Sequence, residues 1–175
     1  MSAPWDAPIE RAGSQHQVAR ELRGIMVRAQ ELAAERGAPA AEAEHLLIAI
    51  AEHPQSRGGA FLASHGLDVE TLVSAFRAER EHALRGAGIA GFRDADLTAT
   101  PRRRKPRWGS SARDSWERGF RMARGGRDHV SSLNLVVGAL SAELGTVPRA
   151  LSLAGVDRDK ILGQALVEAT KGMKR

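Results

Sequence analysis

The chain has 175 residues, of which 42% are hydrophobic and 27% charged. That is the balance of a soluble folded protein with a real core of its own. It contains no Cys, which excludes disulfides, thiolate metal sites and Cys nucleophiles. The formal net charge is +5, and the segment 101–107, PRRRKPR, supplies five cations without an acid: Arg102, Arg103, Arg104, Lys105 and Arg107. Without them the chain is formally neutral, so it reads as a neutral body with one basic strap.

Residues 1–13 read as an N-terminal tail holding Trp5, as a local staple or a partner contact. The opening MSAPWDAPIERAGSQHQ carries two acids and lacks the apolar run of a signal peptide. No later stretch approaches the roughly 20 apolar residues of a membrane span. The expected location is the cytoplasm, with no membrane partner.

Ala, Leu, Arg and Glu dominate and Tyr is absent, a mixture that favours helix over strand. The first helix is expected over 15–36, where Val18, Leu22, Ile25, Met26, Ala29 and Ala33 recur three or four apart. A second, over 43–53, packs Leu46, Leu47, Ile48 and Ile50 together, as in a helix buried on most sides. Helices over 58–65 and 69–84 complete a first unit, 14–84. The stretch 85–109, rich in Gly and Arg, reads as a linker crossing the surface. A second unit, 110–170, has helices over 110–124, 132–143, 147–154 and 158–170, and 171–175 is a short tail. Pro54 and Pro148 fall where a helix breaks or starts. No segment shows the alternation of a strand.

The two units are a weak duplication displaced by 89 positions. Gly37 falls on Gly126, Leu46 on Leu135, Leu62 on Leu151, Gly66 on Gly155 and Asp68 on Asp157. Gly66 and Gly155 stand where a helix stops, and Asp68 and Asp157 stand where a side chain caps the next one. Leu67 and Val156 precede the caps, placed as staples. Each unit alone is small, so a shared core with pseudo-twofold packing is expected.

The pattern RAQELAAERG…EAEHLLIAI…FLASHGLDVETL resembles the N-terminal domain of the ClpA/ClpC-type Hsp100 unfoldases, in which each repeat carries a G-T-E-H-L-L-L-G-L run. ARGGRDHVSSLNLVVGAL…RALSLAGVDRDKIL is similar to its second repeat, and RWGSSAR (107–113) stands where the family has F-T-P-R-A. The resemblance covers about 14–170. It implies an all-α fold of eight helices in two pseudo-symmetric four-helix repeats sharing one core. It also implies a module that binds substrates and adaptors for an ATPase ring. No G-x-x-x-x-G-K-[ST] motif occurs, so a stand-alone Clp N-domain is expected.

The resemblance makes Glu44 a candidate for gripping the guanidinium of phosphoarginine by charge-assisted bonds, with His45 beside it. Glu42 and Ala43 stand for the family's Gly-Thr, adding an acid and removing a hydroxyl. In the second repeat Ser131 and Ser132 keep a hydroxyl, while Leu133 replaces the Glu and Asn134 the His. The plainer role for Glu44 is a first-turn acid on its helix dipole, and for His45 a helix-end residue bonded to nearby backbone. His45 and His53 lack a third ligand, so no metal and no cofactor is expected. Ser110, Ser111 and Asp114 lack the context of a nucleophile and read as cap and first-turn residues. GGRDH (125–129) reads as a helix exit.

The expected function is therefore a non-enzymatic protein- or peptide-binding module of the Clp protease system: substrate or adaptor recognition, a regulator, or a ligand-sequestering decoy. Its partners would be Clp ATPase and protease components, substrates or adaptors, with cyclic peptides or phosphoarginine as small ligands. The strap Arg102, Arg103, Arg104, Lys105 and Arg107, with Trp108 beside it, is a second candidate surface. It is either a solvated linker or a contact for an acidic partner or nucleic acid. Trp108 itself reads more simply as an anchor for the fifth helix.

Overall fold

The computed structural model describes residues 6–89, 91, 101, 104–123 and 130–171, with side chains of the first helix described from residue 17. Among them are eight helices: α1 (Asp6–Glu35), α2 (Ala43–Ala51), α3 (Arg57–Ser64), α4 (Val69–Gly86), α5 (Ser110–Met122), α6 (Ser132–Leu140), α7 (Thr146–Leu153) and α8 (Arg158–Lys171). The fold is all-α. The starts and ends of α2 and α3 fall 89 positions before those of α6 and α7, and α4 and α8 start at the same spacing.

Local chemistry accounts for that agreement. Gly66 and Gly155 both sit at φ +70°, a left-handed stop that a Cβ would strain. The amide of Leu67 donates to Leu62 O, and the amide of Val156 to Leu151 O, each at 2.9 Å. Asp68 Oδ1 then accepts from the Thr71 amide at 2.8 Å, and Asp157 Oδ1 from the Lys160 amide at 3.0 Å. Each capping carboxylate satisfies an amide that the first helical turn leaves open.

α2 and α6 form the centre. Leu46, Leu47, Ile48 and Ile50 from one, and Leu133, Leu135, Val136, Val137 and Leu140 from the other, belong to a single buried cluster spanning both repeats. α6 lies tightly on α5 because both carry glycine at the contact. A Cβ on Gly138 would run into the Ser115 carbonyl, and one on Gly119 would come within 2.6 Å of Asn134 O. Arg28 fastens α1 to the end of α2 through Glu52 at 2.6 Å, and it also holds Glu35 at 2.7 Å. Glu79 on α4, almost fully buried, takes Arg149 of α7 at 2.7 Å.

Two expectations need correcting. α1 begins at Asp6, not 15, so most of the expected tail is helix. The apolar face that marks the helix starts only at Val18, so the sequence before it carries no helical periodicity. The strand-free reading also fails in detail. Ala40–Ala41 (β1) and Arg107–Trp108 (β2) pair in parallel, Ala40 with Arg107 and Ala41 with Trp108. Two residues are too few for a local signal; the pairing is made by tertiary contact. The linker therefore ends docked, and Gln30 Nε2 donates to Pro106 O at 2.7 Å. Trp5, Arg102, Arg103, Gly126 and the whole of 125–129 lie outside the described residues.

Candidate functional site

The first turn of α2 carries the residues singled out in the first repeat. Glu42 stands just ahead of the helix and its carboxylate crosses to the N-terminus of α5. There Oε2 accepts from the Ser111 amide at 3.1 Å and from the Ser111 hydroxyl at 2.6 Å. The same hydroxyl oxygen accepts from the Ala43 amide at 2.9 Å, and the Gly109 amide donates to Ala41 O at 2.9 Å. A Cβ on Gly109 would collide with the Glu42 carboxylate, so glycine there lets the two helix starts interlock. The N-terminal end of a helix favours an anion. In this chain Glu42 is that anion.

Glu44 is only 12% exposed, with Oε1 3.7 Å from Arg80 Nη2 and 3.9 Å from His45 Nε2. Burial raises its pKa above the ordinary carboxylate value, outweighing the opposing pull of Arg80 and Arg36. His45 is 2% exposed. Its Nδ1 accepts from the Glu42 amide at 3.1 Å, which places the proton of the neutral ring on Nε2. That atom finds no hydrogen-bond partner among the described residues. Burial first, and then Arg36 and Arg80, push the His45 pKa down to about 4.

Beside Glu44 opens a cleft of about 290 Å³ between the starts of α2, α5 and α7. Glu42, Glu44, Ser110, Ser111, Arg118 and Thr146 supply its polar lining, and Leu144 and Val147 are among its apolar residues. Arg118 Nε is committed to Gly138 O at 2.8 Å. Leu144, on the loop before α7, is 90% exposed.

Among the described residues, the matching place in the second repeat is covered where Gly58 of α3 packs against Ser132. Ser131 and Ser132 are interior residues. The Ser131 amide and hydroxyl both donate to Asn134 Oδ1, at 3.0 and 2.9 Å. Ser132, fully buried, accepts from the Gly58 amide at 2.9 Å. This differs from the expectation that these hydroxyls are offered to a ligand: the Ser131 hydroxyl is committed to Asn134 and α3 sits on Ser132. Leu133, the counterpart of Glu44, is 0% exposed and part of the core.

The asymmetry has a residue-level cause. A Cβ on Gly58 would fall 2.8 Å from the backbone of Ser132, so α3 reaches α6 only because position 58 has no side chain. Displaced by 89, Gly58 becomes Val147 and Ser132 becomes Ala43. Valine needs room that glycine does not, and alanine has no hydroxyl to accept the amide. α7 stands off from α2 and the cleft is what remains. The sequence carried this signal as a Gly–Val mismatch between the aligned repeats.

The described strap residues, Arg104, Lys105 and Arg107, are not part of this cleft's lining. Arg104, Lys105 and Arg107 are exposed and Pro106 is buried. Trp108 is half-buried, edge-on to Trp116 at 6.5 Å, and Trp116 lies 5.3 Å from Phe120. It anchors α5 from inside. Among the described residues there is no group of three or more His, Asp or Glu able to hold a metal. No described helix is long and apolar enough to cross a membrane.

No curated protein matches the chain significantly. Residues 18–104 match the family described as the Clp repeat (R) N-terminal domain. That span holds the first repeat from Val18 onward and the linker to Arg104, and the structural correspondences at 89 positions extend the pattern through α8. With its repeat termini, caps and central helices all accounted for, the chain is a Clp N-domain protein.

Proposed function

We propose that this protein is a non-enzymatic peptide- and protein-binding module of the Clp system, which recognises substrates or adaptors, or sequesters their ligands. What carries the proposal is the cleft between the repeats. It sets a largely buried carboxylate, Glu44, beside an almost fully exposed leucine, Leu144. A carboxylate next to apolar surface suits an extended peptide: the charge orients it and the apolar wall holds it. Clp ATPase or protease components, adaptors and cyclic peptides are the partners to try.

The test uses the full chain, immobilised, with purified Clp ATPase subunits, purified Clp protease subunits and a permanently unfolded model substrate presented separately. Retention of at least one, reduced by filling the cleft through Ser110→Trp, supports the proposal. Retention of none sinks it. A second reading, contact with nucleic acid through the strap, has one observation in its favour. Gln30 holds the backbone at Pro106 and the β1–β2 pairing holds it at Arg107, so the end of the strap is fixed to the body and the exposed Arg107 is presented from it.

A further inference from the structure

We infer that the outer flank of α8 is a docking surface for a short amphipathic helix of a partner protein, one that lies along Val167 and Gly163 and brings an arginine or lysine to Glu168. This surface shares no residue with the cleft at Glu44 and does not depend on the peptide-binding proposal above. It is a groove of about 580 Å³ between α8 and the end of α3, with His65, Gly163, Gln164, Val167 and Glu168 in its lining. The first repeat shows what covers such a flank. α7 packs along α4, and its Arg149 reaches Glu79 at 2.7 Å. Glu79 and, one turn before it, Ala75 are both buried. Displaced by 89 positions they become Glu168 and Gln164, and both of these are exposed.

α3, the counterpart of α7, does not do for α8 what α7 does for α4. Gly58 seats α3 on Ser132 of α6, and Ala60 stands where an arginine would be needed. Two polar links cross the gap: Arg57 Nη2 donates to Glu168 O at 3.1 Å, and His65 Nε2 lies 2.9 Å from Gln164 Oε1. Arg57 spends that bond on the backbone, and the Glu168 carboxylate has no hydrogen bond or ion pair among the described residues. Beside it Val167 is 53% exposed, and a Cβ on Gly163, one turn earlier, would touch nothing within 4 Å. An apolar ridge next to a notch is what a second helix packs into. Asp159 is held by Arg158 at 2.5 Å, while Lys160 and Lys171 stand at the two ends of the groove and favour acids at the ends of the incoming helix. A second copy of this chain cannot supply that helix from α7, because its Arg149 is already committed to Glu79.

α7 itself supplies the probe: a fluorescein-labelled peptide of residues 145–154, held helical by a hydrocarbon staple on its exposed side. It is titrated into the full chain by fluorescence polarisation, and amide shifts of the isotope-labelled chain locate it. Saturable binding is expected, with shifts at Gly163, Gln164 and Val167. Val167→Arg should abolish it. Glu168→Lys should weaken it roughly tenfold, and Arg149→Glu in the peptide should restore binding to the Glu168→Lys chain. Ser110→Trp, which fills the cleft, should leave it unchanged. Absence of saturable binding, shifts on the α4 flank instead, or charge exchange without recovery overturns the proposal, whatever the cleft binds. So does a dimer of the chain that Val167→Arg dissociates, since a second copy would then be the occupant. Circular dichroism of the variants, both at exposed positions, separates loss of binding from loss of fold.

Discussion

Glu42 and Ser111, 69 positions apart, are joined by two hydrogen bonds into one carboxylate oxygen, and the serine hydroxyl oxygen accepts from the amide next to Glu42. This short circuit ties the start of α2 to the start of α5, and so the first repeat to the second. Removing the glutamate strands a serine hydroxyl and an amide at a partly buried joint. Glu42→Ala is expected to cost about 1–3 kcal/mol of stability, and Ser111→Ala a similar amount, from the price of unmet donors and acceptors. The double variant should cost less than the two singles together, with a coupling of about 0.5–3 kcal/mol. Urea unfolding of the four proteins measures it. Strict additivity would mean that the circuit carries no energy.

The glycines divide into those that permit contact and those that do not. Gly58→Ala pushes a methyl to 2.8 Å from the Ser132 backbone and should destabilise by about 1–3 kcal/mol, the usual cost of overpacking. Gly138→Ala meets the Ser115 carbonyl more closely still and should cost more. Gly163, on the exposed side of α8, has nothing within 4 Å of the added atom. Gly163→Ala should stabilise by about 0.4–1 kcal/mol through helix propensity and a less free unfolded chain. Thermal melts should place Gly163→Ala highest, Gly58→Ala below it and Gly138→Ala lowest.

His45 makes stability depend on pH. Its pKa falls from 6.5 in the unfolded chain to about 4 in the fold. Above 6.5 both states are neutral there and stability is unaffected. Between 6.5 and 4 the unfolded chain takes a proton that the folded one refuses, so stability falls as pH falls. The loss is on the order of 3 kcal/mol, at about 1.4 kcal/mol per pKa unit. Glu44 works in the opposite sense: its raised pKa adds stability that is complete below 4.5 and is lost as pH rises through the raised value. The second repeat shows how to remove the His45 effect. Asn134 accepts from its N-cap amide as His45 does, at 3.0 Å, and does not titrate. His45→Asn should keep the fold and flatten the acid limb of a stability-versus-pH curve measured by urea unfolding.

The strap is expected to be silent in stability and audible only in binding. Arg104, Lys105 and Arg107 are exposed, so replacing all three by Ser should move stability by no more than about 0.5 kcal/mol per site. If duplex DNA binds there, log K against log salt should lose a slope of roughly 0.9 for each phosphate contact removed. A triple variant with the parent's DNA affinity at every salt concentration would remove the nucleic-acid reading.

Much of the fold was legible because it is written in local chemistry and written twice. Gly66 with Asp68, and Gly155 with Asp157, announce a stop and a start that need no tertiary knowledge. The apolar run from Leu46 to Ile50 likewise declares a buried helix. Legibility ended where meaning depends on what lies opposite. Ser131 and Ser132 read as free hydroxyls until one is seen bonded to Asn134 and the other lying under α3. Glu42 read as an intrusive acid beside a binding residue, and only its reach to Ser111 shows it serving the next helix. Ala40 and Ala41 carry no strand signal, since two alanines pair only when Arg107 and Trp108 are brought alongside. The cleft was hidden in a comparison: Val147 is unremarked until it is set against Gly58.

That last substitution has a consequence for valency. A duplicated unit ordinarily offers its face twice, and two equal ports on one chain would let a partner with repeated tags bridge or crosslink. Here glycine seals one port and valine props the other ajar, leaving a single mouth with a fixed polarity. Avidity for a multiply tagged partner then has to come from several copies of this chain held near one another, and it will scale with how they are tethered.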